Sequence, residues 1–549
     1  MKKTMLTLVW LSISYCSFAQ QKQAPRPNII LIMVDDMGYS DIAPYGSEIQ
    51  TPNLSRLAAE GLRLQEFYNN SICAPTRASL LTGQSNHKAG VGYFNVNLGL
   101  PAYQGYLNRE SLTLAEVLKT AGYSTLMSGK WHVGDDSIAW PNQRGFDKFF
   151  GFIGGASNYF DIGTYTDKVP PVPLVENNRS FNLEPGHYLT DEIAGHAVKF
   201  LDEQSKANNP FFLYVAYNAP HWPLQALPED IAKYKGRYAI GWDSLRNERI
   251  ARQKKLGIIA ANATIAPDPE VPAWGSLTYD EQQLWQKKME VYAAMIDRMD
   301  QGIGKILAKL KEGKKDENTL IVFISDNGAQ GGFIPTGRKR QRSSGPIGTA
   351  GSYDYQEQSW AHVSNTPFRS YKASAYEGGI SSPLIAWYPA KIKAGSIARG
   401  TAHLIDLAPT FYEIGGATYP STYHHITTNP LPGVSLTQLL FAQQEISRKV
   451  PLFWERAGNR AVRQGKWKLI SSWPSKQWEL YNIETDRAET NNLAAQEPQV
   501  VKELALAYDN WAKENEVVDY DKIKPAGPAG FAGPTGNTQP AAGKRRDGQ

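Results

Sequence analysis

Cysteine is nearly absent from this chain: 549 residues carry two, Cys16 and Cys73. Cys16 lies in a segment that reads as a cleaved leader, so the exported chain would keep one thiol and could form no internal disulfide. A lone thiol in an oxidising compartment is either buried and inert or kept for its chemistry. Composition leaves these two open. Charge of one sign is also lacking. Lys+Arg 58 against Asp+Glu 53 gives a net +5, too mild for a nucleic-acid partner. Beyond the leader no apolar run is long enough to span a membrane, so the mature chain is expected to be soluble. No Cys/His cluster has zinc spacing. The 34 Pro and 47 Gly argue for many loops rather than a long helical array.

The hydrophobic content of 42% over this length suits one large domain plus a smaller one. Residues 1–19 read as a signal peptide: Lys2 and Lys3, an apolar stretch from Leu6 to Ile13, then Ser17-Phe18-Ala19 as a cleavage site. A periplasmic or secreted location follows. A lipoprotein anchor at Cys16 is the competing reading, and bulky Tyr15 before it argues against that anchor. Residues 20–445 read as the large domain and 446–520 as a small α+β domain. The Gly-, Pro- and Ala-rich stretch 521–549 reads as a disordered tail.

Apolar runs closed by turn signals mark buried strands: Asn28 to Val34, Tyr123 to Met127, Phe211 to Tyr217, Thr319 to Ile324 and Pro383 to Trp387. Helices are expected over Leu54 to Gly61, Ser111 to Gly122 and Glu281 to Glu312. The alternation indicates an α/β fold with a large, mainly parallel sheet flanked by helices. Past Val450, Gly465 to Ile470 and Trp478 to Ile483 suggest a smaller antiparallel sheet, followed by a helix from Gln499 to Glu514.

Four of these strands run into polar groups suited to catalysis: Asp35-Asp36, Lys130 with His132, His221, and Asp326-Asn327. Ligand sites in open α/β sheets lie outside the carboxyl ends of strands, so one sheet would gather all four. Adjacent carboxylates repel unless water or a cation screens them. Asp35-Asp36 is therefore a solvated turn or part of an all-oxygen cation site with Asp326 and Asn327. Such donors suit calcium or magnesium rather than zinc. Cys73 precedes Ala74-Pro75-Thr76-Arg77, and Pro75 fits the first turn of a helix that Gly83 stops. The positive helix end and Arg77 would favour an anion there and lower a thiol's pKa. This predicts a nucleophile or an anion site, without separating a thiolate from a modified residue.

Cys73-Ala74-Pro75-Thr76-Arg77, with Leu81-Thr82-Gly83 behind it, resembles the C-x-P-x-R signature of type I sulfatases. Asn28 to Gly38, Gly129 to Gly134, Ser325 to Gly328, Tyr376 to Gly379 and the Lys372 segment Asn365 to Lys372 resemble further blocks of that family, in order. Glu479 to Asp486 resembles its C-terminal domain. The resemblance covers about residues 28–515 and implies an alkaline phosphatase-like fold. It implies hydrolysis of sulfate monoesters, of aryl compounds or carbohydrates, through a covalent sulfo-enzyme. The nucleophile would be a Cα-formylglycine made from Cys73 by a formylglycine-generating maturation enzyme. Ca2+ would be held by Asp35, Asp36, Asp326 and Asn327, with modified Cys73 touching it. Arg77 would stabilise the deprotonated nucleophile, and Lys130 and Lys372 would hold sulfate oxygens. His132 would take the proton that expels sulfate, and His221 would bind sulfate and help protonate the leaving oxygen.

Phosphodiester or phosphonate monoester hydrolysis by the same superfamily is the second reading, and an inactive sulfated-glycan-binding protein the third. The basic run Arg338 to Arg342 is either a solvated loop or a border of the cleft that favours a polyanionic glycan.

Overall fold

The computed structural model describes residues 26–162, 172–183, 186–267, 270–331 and 344–523. The leader, the basic run 338–342 and the tail from 524 onward lie outside the described residues.

Seven residues from Asn28 to Val34 form β1, with every position buried. Such a strand needs apolar cover on both faces, and it lies at the middle of the main sheet. The others are β2 (Leu62–Tyr68), β3 (Ser124–Gly129), β4 (Lys148–Phe152), β5 (Leu174–Glu176), β6 (Arg179–Ser180), β7 (Phe211–Ala216), β8 (Thr319–Ser325), β9 (Ser381–Trp387) and β10 (Ser396–His403). The order is β10-β2-β9-β8-β1-β7-β3-β4-β5-β6. The centre, β8-β1-β7-β3-β4, is parallel, whereas β9 runs against both β8 and β2.

The two faces of β1 alternate as a pleated strand requires. Ile30, Ile32 and Val34 pack with helices Leu189–Ser205 and Tyr279–Glu312. Ile29, Leu31 and Met33 pack on the opposite face, with helix Cys73–Thr82. The helix expected from Ser111 begins at Leu114. Thr113 and Glu116 close a capping box that fixes that start.

A hairpin, β11 (Thr422–Tyr423) with β12 (Ile426–Thr427), precedes the small antiparallel sheet. That sheet runs in order through β13 (Leu452–Arg456), β14 (Asn459–Gln464), β15 (Trp467–Ser471) and β16 (Trp478–Asn482). Val462, Leu469 and Leu480 pack under helix Pro498–Glu514. Trp454, Ala461, Ile470 and Tyr481 pack against Tyr68, Tyr376 and Ile380 of the large unit. One face of the small sheet therefore abuts the segment that follows Lys372. Tyr520–Ile523 closes the described chain as a short helix.

Candidate active site

Strand register brings the site together. Val34 pairs with Ser325, Met33 with Ala216, and Gly129 with the same Ala216. The carboxyl ends of β1, β8, β7 and β3 are thus level. The residues that follow them, Asp35-Asp36, Asp326-Asn327, the His221 turn and Lys130 to His132, share one edge. Gly129 makes the last pairing possible. Its φ is +120°, and a Cβ there would lie 1.9 Å from the Ala216 carbonyl oxygen.

Helix Cys73–Thr82 starts at the nucleophile candidate and points its N-terminus at this edge. Thr76 donates its hydroxyl to the Asp326 carbonyl at 2.8 Å, which docks the helix on the end of β8. Arg77 is fully buried. It donates to Asp326 Oδ2 at 3.2 Å and to the Lys130 carbonyl at 3.2 Å, and lies 3.9 Å from Asp35 Oδ2. Lys130 Nζ meets Asp35 Oδ2 at 2.5 Å, and Lys372 Nζ meets Asp36 Oδ1 at 2.5 Å. All ten expected site residues, from Cys73 to Lys372, are buried in this one cluster.

The electrostatics follow from burial and from these pairs. Burial alone would raise the Asp35 carboxyl, but Lys130, His221, Arg77 and Lys372 together hold it well below the usual carboxylate range. Asp326 is pushed the other way, by burial and then by the neighbouring Asp35 charge. Burial works against the Lys372 ammonium, yet Asp36 and the surrounding groups raise it above its ordinary value. Burial drops His221 to about 4 and holds His132 well below its ordinary value. The Trp222 carbonyl lies 2.6 Å from His221 Nδ1 and can only accept. The proton is therefore on Nδ1, and Nε2 faces Asp36 Oδ2 at 3.5 Å.

The thiol corrects the expectation drawn from the helix end. Burial raises the Cys73 pKa above its ordinary value, against the pull of Lys130 and Lys372. Burial outweighs the pull of the two lysines, which works against ionisation of the unmodified thiol.

The residues fit a hard cation. Asp35 Oδ1, Asp36 Oδ2 and Asn327 Oδ1 are buried and have no hydrogen-bond partner. Three orphaned oxygen acceptors would be costly without a positive ligand. Atoms of Asp35, Asp36 and His221 fall within 4.8 Å of one another. Both oxygens of Asp326 are already engaged, Oδ1 by the Asp36 N–H at 3.1 Å and Oδ2 by Arg77.

Sequence reasoning missed the residues that hold these groups. Asp36 and His132 have φ of 63° and 60°, and Ser370 and Ala373, flanking Lys372, have 67° and 72°. Non-glycine residues persist there only when their surroundings over-determine them. Asn365 supplies part of that hold. Its Oδ1 takes the Ala329 N–H at 3.0 Å and its Nδ2 donates to the Ser370 carbonyl at 3.1 Å. Tyr159 donates to the His221 carbonyl at 2.8 Å and steadies that turn. None of these follows a periodic pattern; the isolated Asn365 beside an X-Pro step was the nearest signal.

Comparison with known proteins gives the chain a family. The sulfatase family model matches residues 27–417, and a model described as the C-terminal part of N-sulphoglucosamine sulphohydrolase matches 370–511. An uncharacterized sulfatase of Schizosaccharomyces pombe is 36% identical over 533 residues, covering 91% of this chain and 96% of its own. An arylsulfatase of Klebsiella aerogenes is 36% identical over 451 residues, covering 80% of this chain and 97% of its own. The crystal structure titled Ps i-CgsB has a TM-score of 0.67 at 27% identity and covers 90% of this chain and 94% of its own. Sulfatases of this family generally work with a formylglycine and a divalent metal, and the buried edge described above has the acidic groups to hold one. With the family model matched over most of its length and a relative 36% identical over 451 residues, the chain belongs to the sulfatase family, as a type I sulfatase that hydrolyses sulfate esters.

Proposed function

We propose that this sulfatase is an exported, Ca2+-dependent enzyme whose working nucleophile is a formylglycine derived from Cys73. The observation that carries the reading is the grouping of Cys73, three buried cations and three orphaned oxygens on one sheet edge. Asp35, Asp36, Asp326 and Asn327 would hold the calcium, an ion favoured by all-oxygen donors. Calcium supplies positive charge at the sulfate oxygens, and the hydrated formylglycine supplies a hydroxyl nucleophile that a thiol cannot regenerate.

The chain's own residues do the rest. Lys130 and Lys372, each now against one carboxylate oxygen, are placed to turn toward the oxygens of an entering sulfate. Arg77, held from behind by Asp326 and the Lys130 carbonyl, keeps its charge beside position 73. His132, neutral in its buried setting, is suited to accept a proton at a ring nitrogen. His221, whose Nδ1–H is committed to the Trp222 carbonyl, would carry a second proton at Nε2 as the imidazolium and pass it to the leaving oxygen. The buried edge excludes bulk water and strengthens each of these interactions.

Aryl sulfates or sulfated carbohydrates are the proposed substrates. Relatives include arylsulfatases and an N-acetylgalactosamine-6-sulfatase of Canis lupus familiaris, and Ps i-CgsB has been crystallised with k-i-k-neocarrahexaose. Export rests on the leader reading of residues 1–19; among the described residues no helix is long and apolar enough to cross a membrane.

The test is the intact mass of the peptide containing Cys73, combined with turnover of an aryl sulfate and an aryl phosphate diester. Conversion of cysteine to formylglycine and preference for the sulfate are expected. Full sulfatase activity from an unmodified Cys73, or from Cys73→Ala, would sink the assignment.

A further inference from the structure

Lys468 lies in the small sheet, on β15, far from Cys73 in sequence and outside every role assigned so far. Its side chain is fully buried, and its ammonium lies 2.8 Å from Glu377 Oε1 and 2.8 Å from Glu489 Oε1. Glu377 also receives Arg487 Nη2 at 2.8 Å and the Tyr68 hydroxyl at 3.0 Å. Glu489 Oε2 accepts the Glu377 backbone N–H at 2.7 Å. Two carboxylates and two cations are thus gathered at one dry contact between the small sheet and the large unit. Buried ion networks are poor sources of stability, because apolar side chains of similar volume serve as well. A role in fixing geometry accounts better for the cost.

The geometry in question is that of Lys372. Glu377 opens the short helix Glu377–Ile380, and this turn is interlocked with both catalytic loops through backbone contacts. Gly378 N–H donates to the Arg369 carbonyl at 2.9 Å, and Gly328 N–H donates to the Gly379 carbonyl at 3.1 Å. A Cβ on Gly378 would lie 2.2 Å from the Ser370 carbonyl oxygen, and one on Gly328 would lie 1.8 Å from that of Gly378. Lys372 N–H bonds the Ala329 carbonyl, and Ala373 N–H bonds that of Ser71, two residues before Cys73. Movement of Glu377 therefore has to move the Lys372 loop, with its strained Ser370 and Ala373, and to disturb the Asn327 loop.

We propose that Lys468 is a positioning residue of the sulfatase site: through Glu377, and with Arg487 and Glu489, the small sheet holds Lys372 in its working place. The inference rests on the sulfate-binding role proposed for Lys372. It makes the C-terminal sheet part of the catalytic apparatus rather than an appended module.

A double-mutant cycle on the matured, calcium-loaded full chain tests it, with kcat and KM measured on a small aryl sulfate. Lys468→Met is expected to lower kcat/KM by about 10- to 100-fold, as outer residues that orient a site do. Lys468→Arg should recover most of that loss. In a Lys372→Ala background the same Lys468→Met change should cost less than about threefold, because the group being positioned is gone. Should Lys468→Met fail to fold, Glu489→Gln, which keeps the shape and removes one charge, is expected to give a smaller loss with the same dependence on Lys372. Equal losses in both backgrounds, or no loss in either, overturn the coupling and leave Lys372 in its role. Full activity of Lys372→Ala alone would instead remove the role of Lys372, and this inference with it.

Discussion

Acid should weaken this protein through a histidine that takes no part in catalysis. His403 ends β10, buried against the Trp454 ring, with centroids 5.6 Å apart. Its Nδ1 accepts the Ile405 N–H at 3.3 Å, and its Nε2 has no partner. Arg448, paired with Asp406 beside it, adds a positive charge nearby. Burial and then Arg448 push its pKa from 6.5 down to about 3. A depressed histidine contributes stability that is present above its unfolded pKa and is lost as pH falls from there toward the folded value. Each pH unit in that window costs about 1.4 kcal/mol, so descending from about pH 6.5 to about pH 5 removes about 2 kcal/mol. His403→Asn keeps an acceptor for Ile405 and never titrates. It should begin about 1 kcal/mol less stable near pH 7.5, having lost the ring contact with Trp454. The gap should then close and reverse on the way to about pH 5. Guanidinium unfolding of both proteins in calcium-saturated buffer, at several pH values, reads this difference directly. A gap constant to within about 0.5 kcal/mol across the range would refute the reasoning.

Four further outcomes are expected. Calcium at about a hundredfold its Kd should stabilise the wild type by about 2.7 kcal/mol, seen as a rise in the melting midpoint that chelator reverses. Asp36→Ala, which removes an orphaned oxygen and the partner of Lys372, should abolish that rise. Gly129→Ala should cost more than about 3 kcal/mol and cut soluble yield, since its Cβ has no room beside β7. Gly275→Ala, where a Cβ meets nothing within 4 Å, should stay within about 0.5 kcal/mol.

The centre of the fold was legible because β1 and β8 are unbroken apolar runs that stop at acidic residues. Burial on both faces writes such a signal plainly, and it carried Asp35, Asp36, Asp326 and Asn327 with it. The same uniformity hid the direction of β9: a run buried on both faces looks alike whichever way it points. β2 (Leu62–Tyr68) was passed over although its apolar residues partly alternate with polar ones. Cys73 was found from its helix start, but the direction of the thiol's pKa shift was misjudged. The sequence shows a helix terminus and an arginine, not the burial that works against ionisation. Lys468 was read simply as part of a strand. Its partner Glu377 is 91 residues away, and no periodicity connects them.

The strand order also dictates a sequence of events as the chain emerges from the ribosome. Asn28, at the start of β1, bonds Phe211 across 183 residues and Thr319 across 291. The strand made first therefore waits through 183 residues for one neighbour and 291 for the other. Pairings this distant fold slowly and leave sticky edges open meanwhile. A nascent chain that stops short of β8 has Asp35 and Asp36 with Lys130 and His221 to face them, but still lacks Asp326, Asn327 and Lys372. Keeping β1 from sticking to other chains during that wait is a task its native neighbours cannot perform.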